Sequence, residues 1–354
     1  MPSSRLILRQ LRNEGILISL GRIQNLLPGV ALCVAISLLS WLIDQAEVAR
    51  FGYAGIEAIV LAILLGMALR TVWTPPRKFR PGIVFTAQFV LEVAIVLLGA
   101  SLDLHSLEAL GFGLLAAVFT TTAITLGMGV VGGRFAGLSG NLAILIAVGN
   151  AICGNSAIAA VAPVIRAKRD EVASAISLTA VLGVLVVVAL PRLKEPFGLS
   201  DHGYGILAGM VVYAVPQVLA ATIPVSDASG QLGALVKLIR VALLGPVVAL
   251  FAFLHRDDSE GHPVSFSLTR YLPWFVLGFF LTSLLRTAGA FPLELGSSAK
   301  DLSRWLTIAS MAALGLGVDV RAVRRSGPRV ALVVCGLLLL LVGLGITLIR
   351  LLHL

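Results

Sequence analysis

The sequence is short of charged residues. Asp, Glu, Lys and Arg make up 13% of its 354 residues, whereas a soluble domain has about 25%. A chain with so little charge cannot cover the surface of an ordinary soluble domain. With 58% hydrophobic residues and a mean hydropathy of +0.99, the composition instead predicts an all-α protein that crosses a membrane many times.

Cysteine and histidine are also scarce, and their spacing excludes several kinds of site. Cys33, Cys153 and Cys335 lie far apart within apolar runs, so they predict neither a disulfide framework nor a metal site. The five His residues show no metal-ligand spacing, and the chain has no His-Glu-x-x-His motif, P-loop or nucleophile elbow. We therefore expect no enzymatic activity, no cofactor and no bound metal.

The positive net charge has an explanation other than nucleic acid. The chain carries a formal charge of +9, but Lys and Arg lie mainly between apolar runs, where they set topology and contact anionic membrane lipids. Residues 1–25 contain several Arg among Leu and Ile, which predicts an amphipathic cytoplasmic segment at the membrane surface. Residues 26–354 are expected to form a single transmembrane domain, with no nucleic acid as partner.

About eleven segments are long and apolar enough to be transmembrane helices, since a span needs about 20 such residues. The predicted spans are Leu26–Ile43, Gly55–Trp73, Ile83–Ser101, Leu107–Val131, Asn141–Ile165, Val172–Leu190, Tyr204–Ile223, Leu232–Leu254, Leu272–Leu285, Leu302–Val318 and Val330–Leu352.

The charge of the connections predicts the orientation of the chain. The N-terminal segment and the connections after the second and tenth spans are basic, and all three lie on one side if the N-terminus is cytoplasmic. The connection after the fifth span disagrees, because Arg166, Lys168 and Arg169 would then lie outside. Either the charge rule fails there, or the fifth span does not make one simple crossing.

An internal repeat relates the beginning and the end of the chain. The matching pairs are Leu98–Leu104 with Leu314–Val320, Leu69–Thr71 with Leu285–Thr287, and Pro28 with Pro246. Each copy follows its original after seven spans, and this odd number inverts the second copy in the membrane. The halves 26–131 and 232–352 are therefore expected to form an inverted repeat around the central spans, 141–223.

The central spans contain the most unusual apolar stretch, Gly149–Pro163, which includes two Asn, one Ser, two Gly and a closing Pro. These residues weaken a continuous helix and favour a discontinuous helix at the membrane midplane, whose free backbone groups face a cavity. A second half beginning after Gly154 would offer its N–H groups to an anion. The alternative is a close-packing interface of small residues, with Cys153 as a packing residue. The predicted substrate-binding residues here are Asn150, Cys153, Gly154, Asn155 and Ser156.

The seventh span offers a second set of polar groups. We expect Pro216 to kink this helix, and Tyr213 and Gln217, four residues apart on one face, to line the cavity and bind substrate. The alternative is a kinked packing helix with Tyr213 at the interface.

Charges within a transmembrane span are costly and usually functional, and three charged residues of the predicted spans are candidates for a functional role. Lys237 and Arg240 share a face of the eighth span and are expected to attract an anionic substrate or pair with a buried acid; the alternative is that they snorkel to the headgroups. Glu92 in the third span is the candidate ion-coupling residue, binding a proton or sodium. It could instead neutralise Arg240 or Lys237.

Three stretches of the chain resemble signatures of the YeiH-like bacterial membrane proteins, which are named as sulfate exporters. They are Asn150–Ala160, Val236–Leu244 and Leu97–Leu102. The resemblance implies a transporter of the inner membrane, related to antiporters and bile-acid symporters with crossed broken helices. The chain departs from the family at Val211–Gln217, where only Val215 and Gln217 match a Ser-x-His-Glu-Val-Ala-Gln run, so a role for the family's His and Glu is in doubt here.

Taken together, these features predict a secondary transporter. We expect it to move a small anionic solute, such as sulfate, a sulfonate or a carboxylate, across the inner membrane by alternating access. A proton or sodium ion could be coupled to this movement, and the chain could form a homo-oligomer. The alternatives are an anion channel and a membrane scaffold that transports nothing.

Overall fold

The computed structural model describes residues 20–51, 56–102, 111–255, 273–290, 293–318 and 327–354. Within these ranges the chain is helical and forms no strand, which confirms the all-α prediction. Most of the expected amphipathic segment, and Asp103 and Asp319 of the repeated motif, lie outside the described residues. The internal repeat and the division into halves stay predictions.

Each of the eleven predicted spans contains helical structure. The helices are α1 (Leu20–Phe51), α2 (Ala58–Val72), α3 (Arg77–Gly99), α4 (Gly111–Phe135), α5 (Gly140–Ala151), α6 (Asn155–Val161), α7 (Arg169–Leu193), α8 (Asp201–Val211), α9 (Val215–Thr222), α10 (Asp227–Leu254), α11 (Trp274–Thr287), α12 (Leu293–Gly317) and α13 (Pro328–Leu351). Among the described residues, six helices are long and apolar enough to cross a membrane, namely α1, α3, α4, α7, α10 and α13. The fold is therefore that of a polytopic membrane protein.

The helices form two bundles. Bundle one contains α1, α2, α3, α11 and α12, and bundle two contains α4 to α10 and α13; packing is extensive within each bundle and sparse between them. In bundle one, α2 and α12 touch through their backbones, since a Cβ at Gly66 would lie 2.5 Å from the carbonyl oxygen of Ala312, and one at Gly315 would lie 2.3 Å from that of Ile63. Glycine permits this approach, as in other membrane helix pairs.

The fifth predicted span is a helical hairpin, here called hairpin one (α5 and α6). Ser139, which caps α5, donates a short hydrogen bond to the carboxylate of Glu171 in the first turn of α7. Within the hairpin, Gly149 of α5 packs against Ile158 of α6. The chain therefore enters and leaves hairpin one at the same end of the bundle.

The seventh predicted span is also a hairpin, hairpin two (α8 and α9). The hydroxyl of Tyr204 near the start of α8 donates to the carbonyl of Ala221 near the end of α9, at 2.8 Å. At the start of α10, Ser229 donates to the carbonyl of Asp201, at 2.9 Å. The resemblance implied two broken helices that cross each other, and this expectation is wrong. Both helices are broken, but in each the second half returns to the face from which the first half entered. A second half of seven or eight residues is about 10–12 Å long, too short to complete a crossing.

The hairpins enter from opposite faces of the protein. The connection between hairpin one and α7 lies on what we call the basic face, which also holds the connection α4–α5 and the start of α13. The connection α2–α3 lies there too, because α2 begins on the opposite face, where Glu57 pairs with Arg304 of α12 and Lys300 of α12 pairs with Asp227 of α10. Its basic residues include Arg70, Arg77, Lys78, Arg80, Arg134, Arg166, Lys168, Arg169 and Arg329. The connection that disagreed with the charge rule therefore joins the other basic connections, because the fifth span is not a crossing. Hairpin two enters from the opposite face.

Candidate functional site

The tips of the two hairpins meet inside bundle two. Each tip is a break of three residues, 152–154 in hairpin one and 212–214 in hairpin two. The hydroxyl of Tyr213 in one tip donates to the side-chain oxygen of Asn150 beside the other, at 3.0 Å, and both side chains are buried. The tip–tip junction therefore brings together two of the predicted site segments.

Backbone conformation explains the break in hairpin one. Gly154 has φ +64° and ψ −123°, a combination that essentially only glycine adopts. Its N–H bonds the carbonyl of Gly149 at 2.9 Å, which closes the end of α5, and α6 begins at Asn155. The predicted break around Cys153-Gly154 and the predicted start of the second half are confirmed.

The break in hairpin two is built differently. Ala214 is extended, with ψ 147°, and its N–H donates to the side-chain oxygen of Gln217 at 3.4 Å. Pro216 stands in the first turn of α9, where a backbone N–H has no helical partner and proline costs little. The expectation that Pro216 kinks a continuous helix was therefore wrong, because no helix passes through this position.

Lys237 of α10 bonds both tips. Its Nζ donates to the carbonyl of Ile152 in hairpin one and to that of Val212 in hairpin two, both at 2.6 Å. The side chain is fully buried. The C-terminal ends of α5 and α8 leave carbonyl groups without helical partners, and Lys237 supplies a donor to each end.

Arg240, one turn further along α10, also donates hydrogen bonds to backbone carbonyls of both hairpins, and it has more donor groups. Its Nε bonds the carbonyl of Ala151 at 2.9 Å, Nη2 bonds those of Asn150 at 2.8 Å and Ala151, and Nη1 bonds that of Gly209 at 3.3 Å. Arg240 is also fully buried. Snorkelling is therefore excluded for both cations, and among the described residues their hydrogen bonds run to backbone carbonyls rather than to an acid.

Two predicted site residues reach an accessible surface. Asn155 and Ser156, at the start of α6, are exposed, whereas Cys153, Gly154 and Gln217 are buried. The structure thus gathers the predicted substrate-binding residues around one junction and leaves a small polar patch open beside it. Their contact with a substrate stays a prediction.

Thr179 of α7 is buried beside this patch and was missed by the sequence reasoning. Its hydroxyl donates to the side-chain oxygen of Asn155 at 2.8 Å, and it also bonds the carbonyl of Ala175 in its own helix. A threonine in an apolar span usually bonds its own helix, so only the position of hairpin one against α7 identifies this contact.

Glu92 lies elsewhere. It belongs to α3 in bundle one, and its Oε2 accepts a hydrogen bond from the Trp274 indole of α11 at 2.7 Å. The alternative in which it neutralises Arg240 or Lys237 was therefore wrong. Its role as a coupling acid stays a prediction. In the part of the chain that the structure describes, no group of three His, Cys, Asp or Glu side chains could hold a metal ion.

Comparison with known proteins places the chain in a family of membrane proteins. Residues 28–334 match the family model described as conserved hypothetical protein 698. The chain is 48% identical over 333 residues to a UPF0324 membrane protein of Bradyrhizobium diazoefficiens, covering 94% of this chain and 95% of the relative. A UPF0324 membrane protein of Streptococcus agalactiae is 36% identical over 309 residues, covering 85% and 90%.

The names of these relatives say that they are membrane proteins and state no activity. The matches cover nearly the whole transmembrane region and are consistent with the resemblance drawn from Asn150–Ala160 and the other motifs. This chain therefore belongs to the UPF0324 family of membrane proteins.

Proposed function

We propose that the protein is a secondary transporter that moves a small anionic solute across the inner membrane by alternating access. The observation that carries this proposal is the junction of two hairpin tips around Lys237 and Arg240. Broken helices with unwound backbone at mid-depth are the usual setting of solute sites in secondary transporters. Sulfate, sulfonates and carboxylates are the solute classes considered.

The charge at the junction favours an anion. The C-termini of α5 and α8 each carry about half a negative elementary charge, so together they offset about one of the two positive charges of Lys237 and Arg240. In their charged forms the two cations leave an excess of about one positive charge inside bundle two. Because both side chains are engaged with carbonyls, they attract a solute through their field, while Asn155 and Ser156 offer it hydrogen bonds.

The two bundles supply parts that can move against one another. Contacts between them include the ion pair of Lys300 in α12 with Asp227 in α10, and a hydrogen bond from Gln231 to the Ser101 carbonyl at 3.1 Å. Both contacts lie on the face opposite the basic face. Loss of these contacts, with closure at the basic face, would open the Asn155 and Ser156 patch toward the face opposite the basic face.

The basic face is proposed to be cytoplasmic, because short connections rich in Lys and Arg stay on that side. The N-terminus then lies in the cytoplasm, and the C-terminus lies outside. Alkaline phosphatase fused after Leu354 is expected to be active, and a green fluorescent protein fused there is expected to be dark. The reverse result would invert the orientation.

Solute flux into proteoliposomes tests the transport function. Radiolabelled sulfate, a sulfonate and a carboxylate are offered in turn, and saturable counterflow is expected for at least one class. Asn155→Ala and Ser156→Ala are expected to lower that flux about tenfold without changing the melting temperature. Thr347→Ala is the matched control, since within the described part of the chain this exposed hydroxyl of α13 bonds the Gly343 carbonyl of its own helix.

The outcomes separate transport from its alternatives. Ohmic current without counterflow would indicate a channel. Absence of flux, together with no effect of any anion on the melting temperature, would indicate a scaffold. Full flux in both hairpin variants would place the site elsewhere.

Coupling is tested at Glu92. We expect an inward or outward proton or sodium gradient to accelerate wild-type flux and to have no effect on Glu92→Gln. Trp274→Phe, which keeps the carboxyl group and removes its indole partner, should remain coupled. Gradient-driven flux in Glu92→Gln would exclude Glu92 as the coupling acid.

A further inference from the structure

An apolar groove runs between α4 and α13, on the outside of bundle two and away from the hairpin junction. Its volume is about 310 Å³. Residues from two or three turns of each helix line it, including Met128, Gly132, Ala136, Leu332, Gly336 and Leu340. A Cβ added at Gly132 or at Gly336 would meet no atom within 4 Å. The two glycines therefore leave open space in the wall of the groove.

Two arginines lie on the basic face beside the connection between α4 and α5, which follows the groove residue Ala136. The guanidinium of Arg329 lies 3.7 Å from the Cβ position of Gly137, and that of Arg134 lies 3.6 Å from the Cβ position of Gly140. Both arginines are exposed. The two positive groups therefore flank one short connection, 136–139, which begins at a residue of the groove wall.

A nearby carboxylate does not cancel this charge directly. Glu171 accepts hydrogen bonds from the Ser139 hydroxyl and from the backbone N–H of Lys168, so its two oxygens are already engaged. On the neighbouring connection the basic residues Arg166, Lys168 and Arg169 outnumber the acidic residues Asp170 and Glu171, so the local charge stays positive.

The dimensions fit one leaflet of a bilayer. From Met128 to Ala136 the wall of α4 extends about 12 Å at 1.5 Å per residue, against about 15 Å for half of the hydrocarbon layer. One end of the groove is apolar, and the other end meets the connection that the two guanidinium groups flank on the basic face. Basic pockets between transmembrane helices on the cytoplasmic side are sites for anionic headgroups.

We infer that this groove binds an anionic phospholipid, with an acyl chain between α4 and α13 and the phosphate at Arg134 and Arg329. Charge complementarity selects this occupant, because an aliphatic tail fits the wall and a phosphate fits the arginine pair. A second copy of the chain would have to bring a long apolar ridge ending in an acid. The inference does not depend on the proposed transport activity.

Native mass spectrometry of the full-length protein tests this site. The protein is exchanged into detergent containing equal amounts of phosphatidylglycerol and phosphatidylethanolamine, and the lipid retained per chain is counted. Wild-type protein is expected to retain phosphatidylglycerol preferentially. Arg134→Gln with Arg329→Gln should lower the retained phosphatidylglycerol about tenfold. Arg77→Gln, which removes an exposed charge from the same face in bundle one, is the matched control.

A second variant fills the groove without touching a charge. Gly336→Leu places a side chain in open space, so it is expected to fold normally and to lose the retained lipid. This variant also covers the case in which the double arginine variant fails to fold. Retention equal to wild type in Gly336→Leu would overturn the inference. It would also be overturned if Gly336→Leu dissociated a dimer while lipid retention stayed the same, because the occupant would then be a second copy.

Discussion

The two hairpins have the same shape but different sequences. Hairpin one has helices of 12 and seven residues, and hairpin two has helices of 11 and eight, with breaks of three residues in each. Hairpin one breaks at a positive-φ glycine, and its second helix starts with the exposed polar residues Asn155 and Ser156. Hairpin two breaks through an extended Ala214, and its second helix is buried throughout.

The difference indicates a division of roles. Both hairpins end their first helix in carbonyls that bond Lys237 and Arg240, so the geometry of the junction needs both. Near the tips, hairpin one presents the exposed side chains of Asn155 and Ser156, whereas Tyr213 and Gln217 of hairpin two are buried. We therefore expect changes in hairpin two to act mainly on stability, and changes at the exposed residues Asn155 and Ser156 of hairpin one to act mainly on transport.

The largest effect is expected from removing the donors shared by the hairpins. Arg240→Met leaves the buried carbonyls of Asn150, Ala151 and Gly209 without these bonds, and each unpaired group costs about 1–3 kcal/mol. A loss of about 3 kcal/mol or more lowers the melting temperature by roughly 10 °C. Lys237→Met removes donors from only two carbonyls and should cost less. Thermal melting followed by size exclusion checks this order; values equal to that of Arg77→Gln would contradict it.

The next largest effect is expected to distinguish the break in hairpin one from the break in hairpin two. Gly154→Ala forces a side chain into φ +64°, with its Cβ 3.1 Å from the Cβ of Tyr213, and is expected to cost about 1–3 kcal/mol. Ala214→Gly is the matched change in hairpin two. It should cost less than about 1 kcal/mol, because the extended backbone at this position suits alanine and glycine alike and only the unfolded chain is changed. Melting temperatures compare the pair. Equal losses would mean that the breaks are not built differently.

A smaller effect is expected at the tip contact. Tyr213→Phe removes the hydrogen bond to Asn150, and Tyr204→Phe removes the bond to the Ala221 carbonyl at the base of hairpin two. Each should cost about 1 kcal/mol of stability. Because Tyr213 alone touches hairpin one, its variant should also lower solute flux, measured in proteoliposomes. Equal flux in the two variants would show that the tip contact does not serve the site.

The smallest effect is expected from pH at the base of hairpin two. A hydrogen bond from Lys194 at 2.5 Å, with a lesser one from Ser226, holds the pKa of Asp201 below its usual range. A lowered pKa in the folded state means that this contribution is present above the ordinary value of about 4 and is lost as pH falls through the folded-state value.

Melting temperatures measured between pH 5 and pH 3 check this expectation. The wild type should lose slightly more stability on acidification than Lys194→Gln, in which the ion pair is already absent. The difference should be small, because both side chains are partly exposed and solvent screens them. An identical pH dependence in the two proteins would indicate that the pair does not stabilise the base of hairpin two.

Much of the fold could be predicted from residue type alone. Apolar length located the helical segments, and Gly154 with its polar neighbours located the first break, because glycine and amides are unfavourable in a continuous span. The charge rule even signalled the hairpin: Arg166, Lys168 and Arg169 were on the wrong side only if the fifth span crossed.

The details of the site could not be predicted in the same way. Lys237 and Arg240 were recognised as unusual, but their partners are backbone carbonyls, which carry no signature in a sequence. Pro216 was assigned a kink because a proline at the start of a helix and a proline within one look alike when the break before it is not visible. The contact between Thr179 and Asn155 depends on how hairpin one packs against α7.

The hairpins also have a topological consequence. Because each hairpin returns to the face from which it came, it adds no membrane crossing and does not change the direction of the helices that follow. Insertion or loss of a whole hairpin would leave every following helix pointing the same way, whereas loss of a single crossing helix would reverse all of them. The two central hairpins are thus the parts of this chain that can be exchanged without turning the rest of it over.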